Sequence, residues 1–374
     1  MSLSLYLHIP FCRERCPYCD FYLITGTGQV EPFFAALARE TAFRADELQG
    51  ATISAIHIGG GTPSLVPVAM LSRWLEQLAC YATFAPTMEL ALEANPEDIT
   101  PALLDELQSL GVNRLSIGVQ SFSIQKLTVL GRKHSATDAL RVTEMALERF
   151  ASVSLDLMCG LPHETLAVWE GDLSTALALQ PHHLSVYMLS IEPKTRFHWL
   201  VARGELPAPM EAEQALFYET AIHTIKLQGY QHYEVSNFCL PNFHSRYNLA
   251  SWERKPYLGF GAAAHSFIVQ QNREIRQANI ESLSRYLAHP ENAVAFREEL
   301  GCNERFTEEL FLTLRLNRGL SRSFFSRTAS RDVVETLFAT FQEQGWMYED
   351  NERFYLTERG FLFADYIAEE LLAK

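Results

Sequence analysis

The most informative stretch of the chain is residues 4–19, which read SLYLHIPFCRERCPYC. Residues 4–9 predict a β-strand, and Cys12, Cys16 and Cys19 follow it directly. Thiolates this close together in sequence are typical ligands of an iron–sulfur cluster. Zinc is the alternative, but it usually has a fourth cysteine or histidine nearby, and the nearest histidine, His8, lies within the predicted strand. The sequence therefore predicts a cluster with three protein ligands and one iron left open to a chelator such as an amino-acid group.

The segments after this stretch alternate short strands with helices over the first two-thirds of the chain. Strands are predicted at residues 4–9, 53–58, 88–93, 114–119, 153–158 and 184–188, and helices at residues 32–48, 68–81, 101–110, 136–149 and 166–178. Strands separated by helices of this length form βαβ units and a parallel sheet. Six strands in succession predict an α/β fold built on a barrel or part of one, with a doubly wound open sheet as the alternative.

Beyond residue 193 the pattern changes. A helix predicted at residues 211–228 leads into residues 233–238, which read YEVSNF, and then into an aromatic- and glycine-rich stretch expected to be irregular at residues 239–267. Residues 305–316 and 333–344 predict helices, residues 346–348 and 353–356 a hairpin, and residues 358–372 a closing helix. This order resembles a winged helix. We therefore expect a core at residues 1–235, a connecting segment at 236–300 and a small C-terminal helical, winged-helix-like domain at 301–374.

The composition narrows the class of protein. The 374 residues include 45 acidic and 31 basic side chains, which give a formal net charge of −14. A nucleic-acid partner is not expected, because binding to phosphates requires a basic face. No apolar run approaches the ~20 residues that cross a bilayer, and the first residues do not resemble a signal peptide, so we expect a cytoplasmic protein. The remaining cysteines, Cys80, Cys159, Cys239 and Cys302, are expected to be small buried hydrophobic residues.

The carboxyl ends of the predicted strands carry the other candidate functional residues. The second strand ends in residues 58–64, IGGGTPS. Because its three glycines have no side chains, a ligand could approach the backbone there. Glu93 and Gln120 end the third and fourth strands, and Asp156 lies within the fifth among apolar neighbours. In parallel β/α proteins, functional groups collect at these strand ends. We therefore expect these residues and the cysteine loop to surround one site.

Three motifs resemble those of one known family. They are residues 6–12, YLHIPFC, with the cysteines that follow, residues 59–64, GGGTPS, and residues 130–134, LGRKH. Together they resemble the radical S-adenosylmethionine (SAM) superfamily, in its oxygen-independent coproporphyrinogen III oxidase branch. Within that branch, nearly the whole chain is most similar to the HemW family of haem chaperones. The resemblance implies a partial (β/α)6 radical-SAM barrel and a role linked to porphyrin biosynthesis.

The resemblance also implies cofactors and site residues. Cys12, Cys16 and Cys19 would hold a 4Fe–4S cluster whose open iron chelates SAM. The residues implied to contact SAM are Tyr6, Gly60, Gly61, Thr62, Glu93, Gln120, Arg132 and Asp156. Among them, Arg132 would face the SAM carboxylate, a role that suits a planar guanidinium group. A site of this kind can cleave SAM by one electron to a 5′-deoxyadenosyl radical.

The same resemblance leaves a chaperone and an enzyme as competing functions. The oxidase branch carries a further cysteine two positions after the third cluster ligand, where this chain has Phe21, and a longer segment before its first strand. Both differences favour the chaperone, which would bind haem or another tetrapyrrole and pass haem to acceptor proteins, with an electron donor as a further partner. Contact with a membrane would come only through such partners. The alternatives are oxidative decarboxylation of coproporphyrinogen III to protoporphyrinogen IX and radical modification of another tetrapyrrole, including haem ring opening.

One motif departs from the family pattern. HemW proteins usually carry His-Asn-x-x-Tyr-Trp, whose histidine is implicated in haem binding, and here residues 247–252 read YNLASW. Tyrosinate ligates haem iron in some proteins, so Tyr247 is a candidate ligand, as are His244 and His265. The alternative is that this chain has lost the haem site. His57 and His134 are interpreted as structural residues.

Overall fold

One large mixed sheet organises the computed structural model, which describes residues 2–327 and 331–373. The strands are β1 Ser2–Ile9, β2 Phe11–Cys12, β3 Ile24–Thr25, β4 Thr52–Gly60, β5 Thr83–Ala94, β6 Arg114–Gln120, β7 Ser152–Cys159, β8 His183–Met188, β9 Gln231–Glu234, β10 Asn237–Cys239, β11 Tyr257–Phe260, β12 His265–Gln270, β13 Arg273–Asn279, β14 Val294–Glu299, β15 Leu320–Ser321, β16 Met347–Glu349 and β17 Arg353–Leu356. The helices are α1 Val30–Phe43, α2 Ala45–Leu48, α3 Val68–Ala79, α4 Pro101–Leu110, α5 Ile124–Val129, α6 Ala136–Leu147, α7 Leu166–Ala178, α8 Arg196–Ala202, α9 Glu211–Leu227, α10 Arg246–Trp252, α11 Leu283–Ala288, α12 Cys302–Leu314, α13 Arg331–Glu343 and α14 Ala364–Leu372.

Parallel strands form the centre of this sheet, in the order β11-β1-β4-β5-β6-β7-β8. Antiparallel β12, β13 and β14 continue it beyond β11, and β10 and β9 continue it beyond β8. Six of the parallel strands are those that the sequence predicts, so the α/β architecture is confirmed. The seventh, β11, lies in the stretch 239–267, for which an irregular structure was the wrong expectation. Its four residues form a strand by pairing with β1 and are too few to show a period.

The parallel strands bury one apolar face and turn a more polar face toward the interior of the partial barrel. In β1, Leu5 and Leu7 are fully buried in the main hydrophobic core. Because side chains alternate along a strand, Tyr6 projects from the opposite face. β5 and β7 repeat this alternation, with buried leucines on one face and Glu93 and Asp156 on the other. The strand pattern therefore places both carboxylates on the polar face of the sheet.

Local signals explain where several helices begin and end. The Thr100 side chain caps the first turn of α4, and Gly111, with a φ of 95°, ends that helix. Ser135 begins α6 with a capping box. The helix predicted at residues 32–48 is instead divided into α1 and α2 at Arg44, whose buried guanidinium group reaches across to a carbonyl oxygen of β11.

None of the described helices has the length and apolar character needed to cross a bilayer.

A separate three-stranded sheet of β15, β17 and β16 packs with α12, α13 and α14 in a C-terminal module. The predicted order of helices and hairpin is confirmed, although the closing helix starts with a 3₁₀ turn, Gly360–Phe363. Main-chain hydrogen bonds join this module to the core: the Val235 N–H donates to Arg315 O at 3.0 Å, and the Asn317 N–H donates to Tyr233 O at 3.2 Å. The large sheet continues through residues 236–300, so the division at residues 235 and 300 remains a proposal from the sequence.

Two of the four isolated cysteines differ from the expectation. Cys159 and Cys239 are buried as predicted, whereas Cys80 and Cys302 are exposed, and the prediction is wrong for them. Cys80 follows the last residue of α3, and Cys302 is the first residue of α12. Both positions lie at helix ends, where a residue is less enclosed by neighbouring elements than in a strand of the sheet.

Candidate cofactor site

A cavity of about 400 Å³ opens at the carboxyl ends of the parallel strands. The three clustered cysteines line it together with seven of the eight residues predicted to contact SAM, namely Gly60, Gly61, Thr62, Glu93, Gln120, Arg132 and Asp156. Tyr6, the eighth, does not line the cavity and packs instead against the ring of His57. The tertiary structure thus brings the cysteine loop and the strand ends to one place. The role of each residue toward a cofactor stays a prediction.

The cysteine loop leaves β1 and is closed at its base, where β2 pairs with β3. Arg15 holds the loop from within. Its guanidinium group donates at 3.2 Å to each of three main-chain carbonyl oxygens, those of Cys19, Phe21 and Leu23. These bonds give the loop a defined shape through contacts of its own backbone, and that shape presents the thiols to the cavity.

Two side chains direct donor groups at the cysteine sulfurs. Thr62 Oγ1 donates to Cys12 Sγ at 3.2 Å, and Arg132 Nη1 lies 3.9 Å from Cys16 Sγ. Burial raises the pKa of Cys12 and raises the pKa of Cys19 to about 11, so binding a metal must release protons from these thiols. Among the described residues, no three His, Cys, Asp or Glu side chains are grouped to hold a single metal ion. A cubane cluster does not need its ligands gathered around a single ion, because each thiolate binds a different iron. Three thiols along one cavity fit such a cluster.

The consecutive glycines of the second motif are required by the protein's own packing. A Cβ atom on Gly59 would lie 2.7 Å from Glu93 Oε1. One on Gly60 would lie 2.7 Å from the ring of His8, and Gly60 also has a φ of 107°, which side chains rarely adopt. One on Gly61 would lie 2.7 Å from a carbonyl oxygen of β2. The sequence-based explanation, that missing side chains admit a ligand, is therefore incomplete, because neighbouring protein atoms occupy the space.

Glu93 is held in the cavity wall by two contacts. His57 Nε2 lies 2.8 Å from Glu93 Oε1, and the Gly60 N–H donates to Glu93 Oε2 at 3.2 Å. The His57 ring stacks on those of Tyr247 and Tyr6, with centroid separations of 5.1 and 6.0 Å. The carboxylate thus has a fixed direction, and His57 is hydrogen-bonded as the sequence suggests for a structural residue.

Arg132 is fixed by several partners. Its Nη2 donates to Asn95 Oδ1 at 2.6 Å and to Gly118 O at 2.8 Å, and the Glu97 carboxylate lies 4.0 Å away. The Nε atom is buried and has no hydrogen-bond partner among the residues that the structure describes. His134 supports this arrangement, because its Nδ1 lies 3.3 Å from Glu97. The guanidinium group therefore presents a positive charge to the cavity close to the cysteine loop.

Asp156 is a carboxyl group whose pKa is raised above its ordinary value. Burial and the nearby charge of Glu93 raise the pKa of Asp156 to about 6, while hydroxyl donors such as Ser116 Oγ, 3.1 Å from Oδ1, favour the ionised form.

Gln120, at the end of β6, has a φ of 64°, a conformation uncommon outside glycine. Backbone outliers of this kind cluster at functional sites, which agrees with its position in the cavity wall.

Part of the wall was missed by the sequence analysis. Asn95 bonds both Arg132 and Thr62 Oγ1, the second at 3.3 Å, and so ties two predicted site residues together. Residues 187–190 line the cavity from the end of β8. The sequence could have indicated residues 187–190, because functional groups collect at the ends of parallel strands and these residues lie at the end of the sixth predicted strand.

A second cavity, of about 360 Å³, shares Tyr187 with the first. Aromatic side chains form much of its wall, among them Tyr247, Trp252 and Tyr257, and α12 contributes Leu312 from the C-terminal module. Burial raises the pKa of Tyr247, so its phenol is neutral at physiological pH unless a cation stabilises the phenolate. The structure therefore places the first haem candidate in an aromatic cavity beside the cysteine cavity.

The other two haem candidates lie elsewhere. His244 packs edge-on against the ring of Tyr233 at a centroid separation of 4.8 Å, and burial lowers the pKa of His244. His265 is exposed at the start of β12. Neither histidine lines the second cavity with Tyr247.

The chain matches known proteins over its whole length. Residues 6–175 match the family profile described as the Radical SAM superfamily, and residues 303–363 match the HemN C-terminal domain. The curated protein Heme chaperone HemW of Bacillus subtilis is 34% identical over 372 residues, which cover 97% of this chain and 97% of that protein. The chain belongs to the HemW family. Heme chaperone HemW of Escherichia coli is 33% identical over 380 residues, which cover 100% of this chain and 98% of that protein.

Membership in the HemW family confirms the resemblance inferred from the cysteine, glycine and LGRKH motifs. The fold agrees with it as well. The solved structure of coproporphyrinogen III oxidase (HemN) from Escherichia coli, described as a radical SAM enzyme, matches with a TM-score of 0.84 at 26% identity, covering 99% of this chain and 89% of that one. This HemW-family chain therefore shares the HemN architecture, and its superfamily implies SAM and a 4Fe–4S cluster as cofactors.

Proposed function

We propose that this chain is a haem chaperone that binds a 4Fe–4S cluster, SAM and haem and transfers haem to acceptor proteins. The observation that carries the proposal is the full-length similarity to curated haem chaperones, at 34% identity over 97% of both chains. The meeting of three cysteines and seven predicted SAM contacts at one cavity supports it. The adjoining cavity also supports it, because four aromatic side chains in its wall can pack on a planar ligand, while six polar or charged residues of the wall can meet polar substituents.

In this proposal, Cys12, Cys16 and Cys19 hold the cluster and leave one iron for SAM. When bound, the cluster supplies single electrons to SAM. Thr62 donates a hydrogen bond to one ligand sulfur, and Arg132 places a positive charge near another. Both interactions favour the more negative, reduced state of the cluster and thereby raise its reduction potential.

Polar groups around the first cavity would orient SAM. Glu93 and Asp156 offer carboxylate oxygens to its hydroxyl and amino groups, and Arg132 offers a guanidinium group to its carboxylate. Gly60 and Gly61 would meet its methionine end through backbone groups. Because Glu93 and Arg132 are already held by protein partners, little side-chain ordering is needed when SAM binds.

Haem would lie in the second cavity, against Tyr247. The aromatic side chains of Trp252 and Tyr257 would pack on the macrocycle, and ferric iron would stabilise the Tyr247 phenolate that burial disfavours. An acceptor protein for haem and an electron donor for the cluster are the partners that this function requires.

Oxidative decarboxylation of coproporphyrinogen III is the second candidate function, and the structural match to HemN favours it. Phe21 argues against it. This side chain is 59% exposed and lines the first cavity, at the position where the oxidase branch is expected to carry a further cysteine. Together with the full-length similarity to curated haem chaperones, this difference favours the chaperone.

The test is an anaerobic experiment on the full chain with reconstituted cluster. Hemin is titrated while the Soret band is followed, and an apo-haem protein is then added to measure transfer. We expect saturable binding and transfer, and no protoporphyrinogen IX when coproporphyrinogen III, SAM and a reductant are supplied. Formation of protoporphyrinogen IX would establish the oxidase instead, and failure to bind hemin would contradict the chaperone.

Matched variants assign the ligands. Cys16→Ala is expected to lose the iron and the absorbance of the cluster, whereas Cys80→Ala, at an exposed cysteine outside the cavity, keeps both. Retention on hemin-agarose is then compared for the wild type, Tyr247→Phe and His244→Ala. Loss of retention in Tyr247→Phe alone is expected, and equal retention by all three would exclude both residues as essential haem ligands.

A further inference from the structure

His57 touches one residue of each cavity. Its Nε2 lies 2.8 Å from Oε1 of Glu93, which lines the first cavity. Its ring stacks on Tyr247, which lines the second, with centroids 5.1 Å apart and planes at 25°. One imidazole group therefore connects a predicted SAM contact with the predicted haem ligand.

The surroundings of His57 leave its ring little freedom. Tyr6 lies 6.0 Å from it at an interplanar angle of 22° and also contacts Tyr247 at 5.9 Å and 25°, so the three rings are nearly parallel. The His57 side chain is 15% exposed. Its Nδ1 atom is buried and makes no hydrogen bond within the described ranges. The hydrogen bond to Glu93 and the ring contacts are thus the interactions that position the imidazole.

The helix that carries Tyr247 is anchored to the strand that carries Glu93. The N–H groups of Arg246 and Tyr247, at the start of α10, lie 3.0 and 3.3 Å from Oε1 of Glu89 and donate to it. Glu89 and Glu93 both belong to β5. Because packed interiors are not continuously deformable, an ordered Glu93 and an ordered Tyr247 favour one common arrangement of these elements.

We propose that His57 is a positioning residue that couples the two cavities, so that SAM bound at Glu93 tightens the binding of haem at Tyr247. This inference rests on the proposed function. The hydrogen bond between His57 and Glu93 and the stacking of His57 on Tyr247 tie these three side chains to one arrangement, so the ligand that binds first favours that arrangement in both cavities. Haem then meets a cavity wall that is already in the arrangement it binds best, so less free energy is needed to reach that arrangement. By linkage, haem tightens the binding of SAM by the same factor.

The test is a thermodynamic cycle on the full chain with its cluster oxidised, so that SAM is bound but not cleaved. The Kd of hemin is measured from the Soret band with and without saturating SAM, and the Kd of SAM by equilibrium dialysis with and without hemin. The wild type is expected to show tightening by a factor of about five or more in both directions.

Two variants of His57 each keep one of its contacts. His57→Gln keeps a donor for Glu93 but has no ring, so we expect SAM affinity within a few-fold of wild type and weaker haem binding. His57→Phe keeps a ring for Tyr247 but has no donor, so we expect near-normal haem binding and SAM affinity weakened about tenfold or more. In both variants the coupling factor is expected to fall to one.

His134→Gln is the matched control, because that histidine bonds Glu97 and the carbonyl oxygen of Val119 on the SAM side. It is expected to change SAM affinity and to retain the coupling. The inference is wrong if the coupling factor between SAM and haem is one in the wild type, or if it stays above one in either His57 variant. Absence of haem binding in the wild type overturns the proposed function instead, so the two failures are distinguishable.

Discussion

Replacing Glu234 with glutamine is expected to change how the stability of this protein depends on pH. Glu234 ends β9, is 0% exposed and lines the second cavity. Among the residues that the structure describes, donor groups of Ser236 and Asn237 lie near enough to favour its ionised form, but none makes a well-aligned hydrogen bond with either carboxylate oxygen. Burial raises the pKa of Glu234 to about 7, from an ordinary value of 4.5. The folded protein therefore holds this proton more tightly than the unfolded chain does.

The size of the effect follows from the two pKa values. Their difference corresponds to about 3 kcal/mol, at ~1.36 kcal/mol for each tenfold change in proton affinity. Below pH 4.5 the carboxyl group is protonated in both the folded and the unfolded protein, so it costs no stability. As the pH rises from there to just above 7, the unfolded chain releases the proton more readily, and the free energy of unfolding falls. For 374 residues, an unfolding entropy of about 0.8 kcal/mol/K converts this energy into a Tm change of about 4 °C.

The assay is thermal unfolding of wild type and Glu234→Gln, both without the cluster, at about pH 5 and pH 8 and one scan rate. Glutamine does not titrate, so the Tm of the variant relative to wild type is expected to rise by about 3 °C between these pH values, most of the full effect. Ser236→Ala is the control, because it alters the same cavity without an ionisable group and its Tm difference should not depend on pH. A pH-independent difference for Glu234→Gln would refute the reasoning.

Three further changes test the first cavity. Thr62→Val removes the hydroxyl donor to Cys12 Sγ and is expected to lower the reduction potential of the cluster, measured by redox titration; an unchanged potential contradicts it. Gly60→Ala places a methyl group against His8 at a φ of 107° and is expected to destabilise the fold by ~1 kcal/mol or more, seen as a lower Tm. Asp156→Asn is expected to weaken SAM binding about tenfold at neutral pH. The wild type is expected to lose SAM affinity below about pH 6, where Asp156 becomes protonated, and the variant is expected not to; an equally pH-dependent variant argues against this role.

Regular elements with strong local signals were predictable from the sequence. The helices predicted at residues 101–110 and 166–178 coincide with α4 and α7, where the side chains of Thr100 and Thr165 cap the first turn. The predicted strands agree because alternation and β-branched runs are local properties. The short helices α5, α8 and α10 were not predicted, since six or seven residues are too few to display a helical period.

Tertiary contacts decided the elements that the local pattern described wrongly. The predicted helix at residues 32–48 is divided at Arg44, whose guanidinium group donates to the Gly259 carbonyl oxygen of β11 at 2.6 Å and also binds Glu47. β11 itself is a strand because β1 offers it a partner. The contact between Arg44 and Gly259 and the pairing of β1 with β11 each join residues more than two hundred positions apart, and such contacts leave no periodic signal in either segment.

The candidate residues of the first cavity could be named from the sequence alone, because the spacing of the cysteines and the polar residues at strand ends are local features. Which of those residues touch one another was decided by the tertiary structure. Asn95 reaches Arg132, and His57 lies between Glu93 and Tyr247, only because the order of the strands and the docking of α10 bring distant segments together. Packing of this kind depends on the shapes and energies of all the elements at once, and no local stretch of sequence contains it.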